Sequence, residues 1–151
     1  MRLGDILAVD RIAVELRATA KPDVLRELSA LVATGASVDP AAVAEVFASR
    51  EALASTGVGS GVAIPHGRIA DLDSLRAAIA VTREGVDFDA IDGRPVHILV
   101  AVLGPERQTG EHLKALARFS RLLRDPGTRT ALREARDAER VFQVLVDADG
   151  R

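Results

Sequence analysis

The 151-residue sequence contains no cysteine, and this absence excludes several kinds of chemistry. A disulfide framework, a cysteine-ligated zinc site and a catalytic thiol all require that residue. Aromatic residues make up only 3% of the chain, with no tryptophan or tyrosine, so it offers no aromatic platform on which bases could stack. Because hydrophobic residues still amount to 48%, alanine, valine and leucine must fill the core.

The chain also lacks a strong charge bias and a long hydrophobic run. Its net charge is −2, with acidic and basic residues mixed along the sequence, which is not the basic footprint of a nucleic-acid-binding protein. The longest apolar run covers residues 98–103, whereas a membrane-spanning helix needs roughly 20 apolar residues. The first residues contain no apolar signal-peptide segment. We therefore expect a cytoplasmic protein that binds no nucleic acid.

The length and the apolar spacing predict one domain over residues 1–151 with an α/β fold. Helices and strands alternate without a strict βαβ repeat, which favours a mixed β-sheet flanked by helices on both faces. Residues 96–103 are apolar at nearly every position, which is typical of a central strand. The predicted strands are 11–16, 62–66, 75–82 and 96–103; the predicted helices are 22–32, 40–54, 109–123, one from 126, and one from 137 to about 146.

His66 is the first candidate for chemistry, because it lies between Pro65 and Gly67 at the end of a predicted apolar strand. Proline restricts its own φ and favours extended geometry in Ile64, while Gly67 permits a turn of the backbone. An imidazole held in this way suits nucleophilic or proton-transfer chemistry near neutral pH. The alternative is a histidine that only closes a strand.

Arg50 interrupts the apolar stripe of the second predicted helix, in which Phe47 and Leu53 are neighbours at helical spacing. An inward-facing guanidinium must pair with a carboxylate or bind an anionic ligand, because an unpaired buried charge is costly. A side chain that reaches to solvent from the edge of the stripe is the structural alternative.

Two further histidines differ in their settings. His112 lies three residues after Thr109, the predicted cap of a helix, where free N–H groups and an imidazole could bind an anion together. An ordinary interfacial histidine is the alternative there. His97 begins a buried strand and has no flanking residue that indicates chemistry, so we interpret it as structural.

Several familiar motifs fail on inspection. The glycines at 57, 59 and 61 lead into a strand, whereas a dinucleotide fingerprint opens a helix. Ser60 lacks the flanking glycines of a nucleophile elbow. The aspartates at 87, 89 and 92 lack the glutamate of a calcium loop, and the three histidines have no zinc-type spacing.

Three segments together resemble one known family: STGVGSGVAIPHGR at 55–68, FDAIDGRPVHILVAVLGP at 88–105 and QTGEHLKALARFSRLLRD at 108–125. They are similar to the fructose/mannitol-class enzyme IIA proteins of the bacterial phosphoenolpyruvate-dependent phosphotransferase system. The similarity runs from about residue 3 to about residue 147 and is closest to the nitrogen-regulatory branch. It implies a mixed sheet flanked by helices.

The resemblance also implies roles for particular residues. His66 matches the phosphorylated histidine of the family, His112 the second histidine that stabilises the phosphoryl group, and Arg50 the arginine that helps to bind phosphate. It assigns no catalytic role to His97. The implied activity is reversible phosphoryl transfer from an HPr-like phosphocarrier, without cofactor or metal.

Two roles within the family remain open at this stage. The protein could act in regulation, binding target proteins according to its phosphorylation, or pass the group to a cysteine of an enzyme IIB on another chain. Either way it would approach a membrane only through a partner. A binding module that is never phosphorylated is the alternative from another class, and a metal-dependent hydrolase is a weaker one.

Overall fold

The computed structural model describes residues 1–107 and 109–151, in which a mixed β-sheet is flanked by helices. The strands are β1 (Ile12–Ala13), β2 (Gly57–Gly59), β3 (Val62–Ala63), β4 (His66–Ile69), β5 (Arg76–Val86) and β6 (Val96–Pro105). The helices are α1 (Lys21–Ala33), α2 (Pro40–Leu53), α3 (Thr109–Leu122), α4 (Pro126–Glu134) and α5 (Ala138–Asp149), and two short 3₁₀ turns precede β1.

Strand β6 is central to the sheet, as its uniformly apolar sequence predicts. It pairs antiparallel with β5 on one side. On its other side β3 and then β4 follow one another, both parallel to it. Strand β1 extends the sheet beyond β5, and β2 pairs with β3. The predicted α/β fold with a mixed sheet is confirmed.

The alternation of side chains along β6 produces two hydrophobic cores, one on each face of the sheet. Ile98, Val100 and Val102 belong to the core that contains Phe119 of α3 and Leu145 of α5. The intervening residues Leu99, Ala101 and Leu103 belong to the core shared with α1 and α2. Helices therefore cover both faces, as predicted.

Three strand predictions need correction. The strand predicted over 62–66 is divided, because β3 ends at Ala63 and β4 begins at His66. Pro65 lies between them; it has no N–H to donate, although its carbonyl still accepts a hydrogen bond from Val102 N at 3.0 Å. The strand predicted over 75–82 continues to Val86, past a register shift between Val81 and Val86 that the polar sequence there does not indicate. The first predicted strand, 11–16, is reduced to β1.

Aspartate side chains cap three of the helices. The carboxylates of Asp39, Asp125 and Asp137 accept hydrogen bonds from backbone N–H groups in the first turns of α2, α4 and α5. Thr109, predicted as a cap, is instead the first residue of α3, and the residue before it is outside the described residues. Across 1–107 and 109–151, every helix is too short or too polar to cross a membrane.

Gly67 shows why a glycine is needed within β4. It was predicted to allow a turn, but it lies in a regular strand, and the constraint is the close packing of α2. A Cβ atom at this position would overlap Cγ1 of Val46. The glycine therefore lets α2 approach the strand that carries His66.

We predict that Gly67→Ala destabilises the protein by about 1–3 kcal/mol, because the added methyl overpacks the contact with Val46. Urea unfolding measures the effect, and Val46→Ala in the Gly67→Ala background should recover part of the loss. Gly110→Ala is the matched control, since a Cβ there meets no atom within 4 Å. Equal stability of the Gly67→Ala variant and the wild type would contradict this packing argument.

Candidate active site

The candidate site is a cavity of about 560 Å³ at the edge of the sheet, beside β4. Helix α2 approaches this strand on one face of the sheet, and α3 follows directly from the end of β6 on the other. Arg50, His66 and His112, the three residues selected from the sequence, all line the cavity. They lie on α2, β4 and α3 respectively, so only the tertiary fold brings them together.

His66 is oriented by the backbone just before it. Its Nδ1 lies 2.8 Å from the carbonyl oxygen of Ile64. A carbonyl oxygen only accepts hydrogen bonds, so Nδ1 must be the protonated nitrogen of this ring. The other nitrogen, Nε2, then has a free lone pair, which is what a nucleophilic nitrogen requires.

Burial lowers the pKa of His66 below its ordinary value, and the positive charge of Arg50 lowers it further. The hydrogen bond to Ile64 and the charge of Glu51 oppose this shift. The ring is therefore neutral at pH 7, which is the state that a nucleophilic imidazole requires.

His112 packs beside His66 with its ring centroid 5.7 Å away. Its side chain is buried, and burial together with the nearby charges of His66 and Arg68 lowers its pKa to about 4. It contacts β6 closely, since a Cβ at Gly104 would lie 3.0 Å from its Nδ1. His112 is thus a neutral ring at pH 7 and lies on the α3 side of the cavity.

The Nδ1 atom of His112 is buried and has no hydrogen-bond partner within the described part of the chain. A buried N–H without an acceptor is rarer and more costly than an unused lone pair. The favoured tautomer therefore leaves the lone pair on Nδ1 and places the hydrogen on Nε2. The two histidines consequently differ in tautomer, with a lone pair on Nε2 of His66 and a hydrogen-bond donor on Nε2 of His112.

The place of Arg50 in the predicted apolar stripe suggested that it faces the core. The structure shows that it does not. The buried face of α2 consists of Val43, Phe47 and Glu51, and Leu53, which the stripe included, is 82% exposed. Glu51 tolerates burial because Lys21 Nζ lies 2.9 Å from its carboxylate. Arg50 lies at the edge of this face, and its Nη1 donates to the carbonyl oxygen of Ala54 at 2.8 Å.

Arg68 and Thr109 also line the cavity, and the sequence reasoning selected neither Arg68 nor its contact with Thr109. Nη1 of Arg68 donates to Oγ1 of Thr109 at 2.6 Å and to the carbonyl oxygen of Glu106 at 3.2 Å. Extending the two-residue period of the strand from His66 would have indicated Arg68. Its contact with Thr109 joins residues 41 positions apart and has no local signal.

The cavity carries positive charge. Within 1–107 and 109–151, neither Arg50 nor Arg68 forms an ion pair with a carboxylate, although Glu106 is also part of the lining. No cluster of three or more metal-ligating side chains occurs in the same residues. Two guanidinium groups and a neutral histidine donor are suited to binding a small dianion.

His97 lies outside this cavity. Its Nδ1 is 3.0 Å from the carbonyl oxygen of Thr82, near the start of β6, whereas His66 pairs with Val102 close to the other end of that strand.

Two neutral histidines and two arginines in one cavity of a mixed-sheet α/β protein suit the class of proteins that hold an anionic group beside a histidine. The comparisons with known proteins agree. The chain belongs to the family described as "Phosphoenolpyruvate-dependent sugar phosphotransferase system, EIIA 2", whose profile matches residues 5–148. The resemblance found in the sequence is confirmed, and the chain is a phosphoryl-transfer component of that system.

Two curated relatives represent different branches of this family. The nitrogen regulatory protein of Bradyrhizobium diazoefficiens is 40% identical over 145 residues, which are 96% of this chain and 95% of the relative. The fructose-specific EIIABC component of Bacillus subtilis is 30% identical over 99% of this chain, but this covers only 24% of that longer protein.

A solved structure confirms the fold. The crystal structure of the nitrogen regulatory protein IIA-Ntr from Neisseria meningitidis superposes with a TM-score of 0.88 at 38% identity. The match covers 94% of this chain and 97% of that structure.

The depressed pKa values predict how stability varies with pH. Both histidines bind fewer protons in the folded state than in the unfolded chain. Their contribution to the free energy of unfolding is therefore fully present above pH 6.5, the ordinary pKa of histidine. It should decrease as the pH falls from 6.5 towards about 4, the pKa of His112. Urea unfolding at several pH values measures this loss, and His112→Gln should reduce its slope.

Proton NMR provides the direct check on His112, because its ring signals should titrate with a midpoint near pH 4. A midpoint at the ordinary histidine value for His112 would contradict the environment described above.

Proposed function

We propose that this protein is a phosphocarrier that accepts a phosphoryl group on Nε2 of His66 from the phosphohistidine of an HPr-like protein. The observation that carries the proposal is the hydrogen bond from Nδ1 of His66 to Ile64, which leaves Nε2 unprotonated. The adjacent cavity supplies the positive charge that a phosphoryl group requires.

The transfer step breaks one P–N bond and forms another. The P–N bond in the donor phosphohistidine breaks, and its electron pair stays on the donor nitrogen. The donor ring, which is protonated on its other nitrogen and positive while it holds the phosphoryl group, leaves as a neutral imidazole. Nε2 of His66 forms the new bond, while its Nδ1 keeps its proton and the ring gains the positive charge. The carbonyl of Ile64 then faces an imidazolium N–H, a stronger hydrogen bond than the neutral one.

The other residues act on the oxygens of the transferred group. The transition state is largely dissociative and spreads charge over three equatorial oxygens, so positioning and electrostatic stabilisation are the main tasks of the protein. Arg50 supplies guanidinium donors and His112 supplies one neutral donor. Because a carrier must also release its group, moderate stabilisation serves it better than very tight binding.

We further propose that the protein acts in regulation. The relatives named nitrogen regulatory protein match along nearly their whole length, which favours this role. The phosphoryl group brings more negative charge than the single positive charge gained by the ring, so phosphorylation makes the cavity mouth more negative, and the two forms would present different surfaces to target proteins. The second candidate is transfer to an enzyme IIB, supported by the match to a fructose-specific component. Its acceptor cysteine would lie outside this sequence.

The first test is phosphorylation through a reconstituted relay. After incubation with phosphoenolpyruvate, enzyme I and an HPr-like carrier, intact mass spectrometry should detect one added phosphoryl group that is labile in acid. His66→Ala should abolish the adduct, and His97→Ala should retain it, since His97 lies outside the cavity. A folded wild-type protein that gains no mass from a competent relay would overturn the proposal.

A second test concerns the two supporting residues. Arg50→Ala and His112→Ala should each slow single-turnover transfer by about 10- to 100-fold, because each removes a donor to a charged oxygen. Circular dichroism establishes that the variants are folded. Transfer at the wild-type rate in either variant would show that its assigned role is wrong, while leaving the role of His66 intact.

The regulatory role needs a separate measurement. Affinity capture with phosphorylated wild type and with His66→Ala should recover different protein partners from the source cells. If the only phosphorylation-dependent partner is an enzyme IIB that receives the group on cysteine, the transport role replaces the regulatory one.

A further inference from the structure

We propose that Arg68, positioned by Thr109, is a second phosphate-binding residue that contacts the group transferred to His66. This inference rests on the proposed phosphocarrier function, and it adds a residue to the site. Its basis is the placement of one cationic side chain and the contacts that hold it.

The strand geometry places Arg68 beside His66. Side chains alternate along β4, and Gly67 faces Val46 of α2. Ile69, two residues on, packs against the core on that same face. His66 and Arg68 therefore share the opposite face, about 7 Å apart along the strand, beside His112 of α3.

The contacts of Arg68 fix its position and leave donors unused. The hydroxyl of Thr109 and the carbonyl of Glu106 both accept hydrogen bonds from Nη1. This end of the guanidinium is therefore tethered to the start of α3. Nε and Nη2 form no hydrogen bond to the described residues. Because the side chain is exposed and tethered at one nitrogen, a dianion can bind without first breaking an ion pair.

Arg50 and Arg68 are held in similar ways on different sides of the cavity. Arg50 is tethered to a carbonyl at the end of α2, and Arg68 to the beginning of α3. His112 lies on the α3 side and is close enough to Arg68 for that charge to depress its pKa. One guanidinium from each side, together with the N–H donor of His112, would donate hydrogen bonds to all three equatorial oxygens of the phosphoryl group.

Phosphoramidate, a small chemical phosphoryl donor, isolates this role from protein docking. Its P–N bond breaks in the zwitterionic form, ammonia leaves with the electron pair, and the phosphoryl group joins Nε2 of His66. Arg68→Gln should slow this reaction by about 10- to 100-fold, the effect of losing a charge-assisted hydrogen bond. Arg121→Gln, an exposed arginine further along α3, is the matched control for loss of one charge.

Comparison of phosphoramidate with the HPr-like donor gives three informative outcomes. Slowing in Arg68→Gln but not in Arg121→Gln supports the proposal. Equal rates in Arg68→Gln and wild type overturn it. Slowing that occurs only with the HPr-like donor also overturns it, because Arg68 would then serve docking of the partner and not the phosphoryl group.

Thr109 is tested as a positioning residue by a double-mutant cycle. Thr109→Val should slow phosphorylation by about 2- to 10-fold, and Thr109→Ser should restore the rate because it keeps the hydroxyl. In the Arg68→Gln background, Thr109→Val should have no further effect. An unchanged effect in both backgrounds would show that Thr109 does not act through Arg68.

Binding of inorganic phosphate separates failure of this inference from failure of the phosphocarrier function. Phosphate should shift the NMR signals of the His66 and His112 rings in the wild type, with an affinity at least 10-fold weaker in Arg68→Gln. If the wild type binds phosphate but is never phosphorylated, the carrier function fails and Arg68 is still tested. Equal affinities in the wild type and Arg68→Gln overturn the role of Arg68.

Discussion

The chemistry proposed for this protein depends on the hydrogen bond between Nδ1 of His66 and the carbonyl of Ile64. This bond joins residues only two positions apart, on either side of Pro65, whose fixed φ limits the conformations available to this segment. The bond determines which nitrogen holds the proton at rest, and it strengthens when the ring becomes positive. A rigid local segment would thus prepare the ring for both halves of the proposed transfer.

The edge of the sheet explains why a cavity forms around this ring. Strand β4 pairs with β6 and has no further strand beside it in the described sheet, and α2 packs against β4 on one face while α3 packs against β6 on the other. Two glycines allow the approach: Gly67 admits Val46 of α2, and Gly104 admits the ring of His112. The glycines therefore set the distances within the site and do not serve as turns.

Much of the fold could be predicted because its signals are local. The apolar sequence of β6 indicates a strand buried on both faces, and aspartates mark the starts of α2, α4 and α5. The extension of β5 to Val86 was missed, since Arg83 and Glu84 resemble a turn, and pairing with β6 resumes only at Val86, after a register shift. The burial of Glu51 was also missed, because its partner Lys21 lies on another helix.

The sequence by itself determined the α/β class, and it selected His66, Arg50 and His112 as candidates, partly through periodicity and partly through resemblance to a family. These signals are carried by neighbouring residues or by short motifs. Only the tertiary structure decided that Arg50 is an edge residue, that Nδ1 of His112 lacks a partner, and that Thr109 holds Arg68. Each of these depends on strand register and helix packing, which bring distant parts of the chain into contact and leave no mark in the local pattern.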